Sequence, residues 1–354
     1  MKIVNVVGAR PNFMKIAPLL REYRRFPDEF EPVLVHTGQH YDANMSDLFF
    51  RQLEIPPPDV FLGVGSGSHA EQTAKVMVEM EKLLVAKPAD LVVVVGDVNS
   101  TMAATIVAAK LCIPVAHVEA GLRSGDRTMP EEVNRIVTDA LSDYLFTTSP
   151  DADENLRREG IPAGKIHFVG NVMIDTLLRL KEIAGRSEGR YGVVTLHRPS
   201  NVDEKAVLTE ILSALDVIQK DLPLVFPVHP RTAGRLKQFG LWEEMSRWPN
   251  LKLMEPVGYL DSLRLLAGAT VVLTDSGGMQ EETTALGVPC LTIRENTERP
   301  VTVTEGTNTL VGTSHARIVG EARKILTGGG KRGRVPKYWD GQAAQRIVQC
   351  LRKK

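Results

Sequence analysis

The residues able to do chemistry in this sequence are gathered in short polar clusters: "GARPNFMK" (8–15), "GDVNST" (96–101), "HVEAGLR" (117–123), "TMPEE" (128–132), "LHRPSN" (196–201), "PVHPR" (227–231) and "LTDSGGMQEE" (273–282). Asp97 and Glu119 each end a strongly apolar run, where a carboxylate either caps the next helix or transfers a proton. Ala120 and Gly121 leave the Glu119 carboxylate open to a cleft. Glu131 divides the same way. It stands three residues after Thr128, the spacing of a capping box, so it could satisfy the Thr128 N–H or act as a catalytic carboxylate. His197 is the best general acid or base, because it ends a strand and Arg198 and Pro199 then break regularity where a reacting group would be displayed. His229 stays open.

Anion binding is the second chemistry. Ser276, Gly277 and Gly278 follow the apolar run "ATVVL" and open a helix, which offers bare N–H groups and a positive dipole end to a phosphate. Arg10 and Lys15 follow the first strand, with Gly8 for a tight turn and Pro11 at the helix start. Two cations on a helix's first turns are poorly placed unless an anion is bound, and a guanidinium can hold a diphosphate bidentately. Glu281 and Glu282 then pose a problem, since carboxylates beside a phosphate cradle should repel it. The glycine-rich "GVGSGSH" (63–69) follows no clear strand and is not read as a phosphate loop.

The clusters are positioned by alternating elements. β-branched runs at 2–7, 32–37, 90–96, 114–119 and 143–149 form one series, and runs at 191–197, 222–229, 269–275 and 288–293 a second. Continuous Val/Ile/Leu runs suit parallel strands buried on both faces, and helical patterns between them make right-handed βαβ units. One such helix spans 68–86, opened by the capping box of Ser68 and Glu71. Nearly every polar cluster lies just after a strand, where doubly wound sheets bind ligands, so the clusters line one cleft between two domains. The expected organisation is α/β, with two Rossmann-like doubly wound domains at 1–180 and 190–335 and a C-terminal helix in 336–354 packing back on the N-terminal domain. The polar stretch 181–190 is the linker.

Composition removes several classes. Lys+Arg and Asp+Glu are 43 each among 354 residues, so no global field recruits nucleic acid or an anionic membrane. No run approaches a membrane span, and "MKIVNVVGARPNF" is not a signal peptide, so a cytoplasmic location is expected. Cys112, Cys290 and Cys350 are too scattered for a disulfide framework or a zinc site, and His36 and His40 straddle a strand end and a turn. No metal site is expected. Without G-x-G-x-x-G after the first strand, neither is a tightly bound dinucleotide.

Taken in order, "GARPNFMKIAP", "GDVNST", "HVEAGLRS", "MPEEVNR", "VTLHRPSNV", "LTDSGGMQEE" and "ENTERP" resemble the motifs of the non-hydrolysing UDP-N-acetylglucosamine 2-epimerases, and "DGQAAQRI" continues the pattern. The resemblance implies the two-domain GT-B type fold, a UDP-sugar substrate bound mainly by the second domain, no cofactor, no metal and a homodimer. By motif, Asp97, Glu119, Glu131 and His197 match catalytic positions. Arg10, Lys15, Ser276, Gly277, Gly278, Glu282 and Arg299 match nucleotide-binding positions, with Glu282 on the ribose hydroxyls. That resolves the carboxylate problem, because glutamate and phosphate cradle would read different parts of one nucleotide. The implied reaction removes the carbon 2 proton as UDP leaves carbon 1, giving 2-acetamidoglucal, and UDP re-adds after protonation from the other face.

Two segments depart from the family pattern. Val257 and Ser262 stand where relatives place a Gln and an aromatic residue near the base, and Asp42 follows Gln39 where a second Gln marks activation by a second substrate molecule. Rival readings are a 2-epimerase of another UDP-2-acetamido sugar, such as a diacetamido uronic acid, a retaining GT-B glycosyltransferase, and a non-catalytic nucleotide-sugar sensor.

Overall fold

Apolar runs that read as buried strands form two all-parallel sheets in the computed structural model, which describes residues 1–38 and 53–353, with Arg10 described by its backbone alone. The segment carrying Gln39, His40 and Asp42 lies outside the described residues. Met1–Leu178 with Lys337–Lys354 makes one unit, and Arg179–Pro336 the other.

The first unit has strands β1 (Lys2–Val7), β2 (Glu31–His36), β3 (Val60–Phe61), β4 (Leu91–Val95), β5 (Val115–Ala120), β6 (Tyr144–Thr147) and β7 (Ile166–Phe168). Their spatial order is β3-β2-β1-β4-β5-β6-β7, so the winding reverses between β1 and β4. There the sheet is in register from Ile3 against Leu91 to Val6 against Val94. Val4, Val6, Val92 and Val94 pack against Val76, Met80 and Leu84 of the helix His69–Ala86 and against Ala103 and Ala104 of the helix Asn99–Lys110. The first of these helices begins with the expected capping box, Ser68 Oγ accepting from Glu71 N–H and Glu71 from Ser68 N–H.

The second unit has β8 (Gly192–Thr195), β9 (Leu224–Pro227), β10 (Leu251–Met254), β11 (Val271–Thr274), β12 (Cys290–Thr292) and β13 (Asn308–Leu310), ordered β10-β9-β8-β11-β12-β13. Its winding reverses between β8 and β11. Val194, Leu196, Phe226, Leu273 and Leu291 meet Ile211 and Leu215 of the helix Lys205–Asp221 in a buried core.

Part of the predicted linker is helical: 181–184 is the last turn of the helix Val172–Ala184. The reason is that Leu177, Leu180 and Ala184, spaced three and four residues apart, continue its buried face. The C-terminal helix Ala343–Arg352 belongs to the first unit. The Asp175 carboxylate accepts from its first N–H groups, Ala343 at 3.1 Å and Ala344 at 2.8 Å.

Candidate active site

In the first unit the chemistry gathers at the carboxyl ends of β1, β4 and β5. The chain leaves β1 through a turn fixed by Asn12, whose Oδ1 accepts from Gly8 and Ala9 N–H at 3.1 Å while its Nδ2 donates to the Val95 carbonyl at 3.0 Å. Gly8 is required by close approach rather than by a special turn, because a Cβ there would lie 2.4 Å from Ser100 Oγ and 2.9 Å from Thr37 Oγ1. The next helix, Arg10–Tyr23, delivers Lys15, whose buried ammonium lies 2.8 Å from the Glu119 carboxylate.

Glu119 is 2% exposed and sits where β5 slips register against β6, with φ +76°. A left-handed conformation in a residue with a side chain costs about 1–3 kcal/mol and persists only where the surroundings enforce it. Asp97, beyond β4, receives Arg135 Nη2 at 2.5 Å, and its backbone carbonyl receives Asn134 Nδ2 at 2.9 Å. The guanidinium of Arg135 is buried and also donates to Glu132 at 2.9 Å.

Glu131 is partly buried in the first turn of the helix Pro130–Leu141, where the helix dipole favours a negative charge. It does not make the capping-box bond that the spacing allowed. The Thr128 N–H donates to Asp126 instead, the N-cap falls at Met129, and it is Glu132 that reaches back, accepting from Ser124 and Gly125 N–H at 2.9 Å each. Pro130 sets the helix start one residue later than the capping-box spacing assumes.

In the second unit, His197 lies beyond β8 with its Nδ1 3.1 Å from Asp275, which follows β11. Asp275 is fully buried and accepts the backbone N–H groups of His197 and Arg198 and the Asn201 amide. Burial alone would raise its pKa, but the His197 side chain and these N–H donors outweigh burial and hold it below the usual carboxylate range. With Nδ1 turned to Asp275, Nε2 is the nitrogen left to meet a ligand. Ser276 is the N-cap of the helix Gly277–Leu286. Gly277 leaves room for an ion pair at its back, since a Cβ would lie 2.6 Å from Glu298 Oε1 and 2.7 Å from Arg299 Nη1 and would push those side chains aside. A cavity of about 190 Å³ opens beside them, lined by His197, His229, Val257, Ser262, Ser276 and Met279 among others.

The two glutamates of this helix have different fates. Glu281 is buried against Arg299 Nε at 3.0 Å, and Arg299 also pairs with Glu298 at 2.6 Å. Glu282 is 5% exposed, and its pKa is pushed to about 7, first by burial and then by the Glu281 charge, with the nearby Tyr259 hydroxyl opposing.

The family model for UDP-N-acetylglucosamine 2-epimerase matches residues 22–352. The chain belongs to the UDP-N-acetylglucosamine 2-epimerase family. Among relatives of this epimerase family, the UDP-N-acetylglucosamine 2-epimerase of Methanocaldococcus jannaschii is 42% identical over 365 residues, covering 99% of both chains. The UDP-2,3-diacetamido-2,3-dideoxy-D-glucuronate 2-epimerase of Pseudomonas aeruginosa is also 42% identical, over 100% of both. The crystal structure of the M. jannaschii UDP-GlcNAc 2-epimerase in complex with UDP-GlcNAc and UDP superimposes with a TM-score of 0.93 at 43% identity, covering 100% of each chain. The GT-B type fold expected for an epimerase of this family is the fold found.

For this epimerase family member, the structure sets Asp97, Glu119 and Glu131 at the ends of adjacent elements of the first unit, and in the second sets His197 at a strand end, Ser276, Gly277 and Gly278 at the start of the helix Gly277–Leu286, Glu282 within that helix and Arg299 at the N-cap of the helix Pro300–Thr304. Lys15 and Arg299, expected on the nucleotide, have their cations engaged by Glu119 and by Glu281 and Glu298. Sequence reasoning missed Arg135, Glu132, Asp275 and Glu298. Only Glu132 and Arg135 carried a signal, a helical i,i+3 pair directly behind Glu131.

Proposed function

We propose that the chain interconverts UDP-N-acetylglucosamine and its manno epimer without hydrolysis, by elimination of UDP to 2-acetamidoglucal and re-addition of UDP, with no added cofactor or metal. The observation that carries this reading is Glu119, a buried carboxylate held at a strained bulge and ion-paired to Lys15, beside Asp97 and ahead of Glu131. An unactivated carbon 2 proton demands such positioned carboxylates. General acid–base catalysis supplies about 10²–10⁴-fold, or about 3–5 kcal/mol. Stabilising the departing diphosphate supplies much of the rest, through His197 Nε2, Arg10 and the Ser276–Gly278 backbone. Glu282 takes the ribose hydroxyls, and the cavity bordered by Val257 and Ser262 takes the base. Lys15 and Arg299 act by holding Glu119 and Glu281 in place. The working unit is a homodimer, as the family resemblance implies, which light scattering checks.

The P. aeruginosa relative supports a second reading, a diacetamido uronate as the sugar, because its identity equals that of the M. jannaschii enzyme. One experiment separates these readings: incubation with each UDP-sugar in deuterated water, followed by NMR. Epimerisation of UDP-N-acetylglucosamine with deuterium at carbon 2 and no accumulating free UDP is expected. Epimerisation that needs added NAD, or that leaves carbon 2 unlabelled, would sink the elimination route, and turnover of the uronate alone would select the second sugar.

A further inference from the structure

Behind the carboxylates of the first unit lies a fully buried polar cluster that the proposed chemistry does not use. His117 is 0% exposed, with Nδ1 2.6 Å from Asp139 Oδ1 and Nε2 2.8 Å from the Gly96 carbonyl. A carbonyl can only accept, so Nε2 carries a proton. Asp139 Oδ2 already accepts from the Gly121 N–H at 3.1 Å and from Arg123 Nη2 at 2.7 Å, the pattern of an ionised carboxylate, so Nδ1 is a donor too. The Arg123 cation on Oδ2 favours the ionised form of Asp139 and with it the imidazolium form of the ring.

What the cluster touches gives it a purpose. His117 and Gly121 stand two residues before and two after Glu119, the residue at φ +76°. Both are tied to opposite oxygens of one carboxylate, and Asn155 Nδ2 adds a bond to the Gly121 carbonyl at 2.9 Å. The third tie, to the Gly96 carbonyl, fixes the backbone entering Asp97. Asp139 comes from the helix Pro130–Leu141, which also carries Glu131 and Arg135. One buried carboxylate thus braces the backbone on which the three candidate carboxylates of the first unit, Asp97, Glu119 and Glu131, are mounted.

We propose that Asp139, acting through a doubly protonated His117, is the positioning residue that holds Glu119 in its left-handed conformation and fixes the chain at Asp97. This rests on the catalytic reading of Asp97 and Glu119 given above. Asp139→Asn keeps the shape but turns one acceptor into a donor facing a donor. In the full-length enzyme it should lower turnover by about 10²-fold, the scale of a 1 Å misplacement, while KM changes less than about threefold. Its crystal structure should show Glu119 relaxed to negative φ. His117→Gln, which keeps a donor for Gly96, should lose about 10-fold. In the parent, ¹⁵N NMR of labelled histidine should show both His117 ring nitrogens protonated. Turnover of Asp139→Asn within threefold of the parent, or an unmoved Glu119 in that variant, overturns the proposal. Should that variant fail to fold, full activity of His117→Gln or a neutral His117 ring in the parent overturns it instead. A parent inactive on every UDP-sugar would refute the proposed reaction, yet the NMR and backbone readouts would still judge the brace.

Discussion

Replacing Glu282 with Gln should make the free protein more stable while weakening UDP binding. Glu282 is buried beside Glu281, and its pKa stands at about 7 rather than the ordinary 4.5. Below pH 4.5 the folded and unfolded chains both hold the proton, and the group contributes nothing. Between pH 4.5 and 7 the unfolded chain gives it up while the folded chain retains it, so stability falls as pH rises. Above pH 7 the loss is complete. At about 1.36 kcal/mol per pH unit that loss is about 3 kcal/mol. Gln has the same shape and no charge, so Glu282→Gln should gain about 1–3 kcal/mol over the parent at pH 8 and almost nothing at pH 4.5. If the buried carboxylate exists to receive ribose hydroxyls, the variant should also lose charge-assisted hydrogen bonds worth about 1.5–3 kcal/mol, roughly 10–100-fold in UDP affinity. Urea denaturation between pH 4.5 and 8.5 measures the first effect. Calorimetry of UDP binding at pH 6 measures the second, with proton release in the parent that disappears in the variant. Parallel stability profiles for the two proteins would show that no charge is buried there, and unchanged UDP affinity would refute the ribose assignment.

Glu131→Gln should melt within a few degrees of the parent, since its carboxylate caps nothing, yet lose about 10²-fold or more in turnover because an amide cannot carry the proton; a variant that turns over normally would leave the proton work to Asp97 and Glu119. Arg135→Met removes the buried cation shared by Asp97 and Glu132 and should cost about 3–5 kcal/mol in chemical denaturation; a loss under 1 kcal/mol would contradict the pairing. Asp175→Ala strands two buried N–H donors at the start of the helix Ala343–Arg352, costing about 1–3 kcal/mol locally. Hydrogen exchange should accelerate across that helix, and protection unchanged there would show that Asp175 does not anchor it.

The sequence by itself determined the class of fold, the order of the motifs and which residue types stand ready for chemistry. It could do so because those features are local. A run such as "LVVVV" is buried on both faces wherever a parallel sheet places it, and Ser68 with Glu71 caps a helix without help from distant residues. Short strands such as Val60–Phe61 and Asn308–Leu310 were not legible, since two or three residues carry no period of their own. The tertiary structure alone decided which charges face one another. Lys15 reaches Glu119 across 104 positions and His197 faces Asp275 across 78, and nothing in either neighbourhood announces its partner. Glu131 shows the same limit at short range, where the capping-box spacing fitted but the helix starts at Pro130, the Thr128 N–H turns to Asp126, and Glu132 instead ties down the loop at Ser124 and Gly125. A carboxylate's role depends on which donors lie within 3 Å in a dry interior, and that is fixed by how separate strands are wound together, not by the residues beside it in the chain.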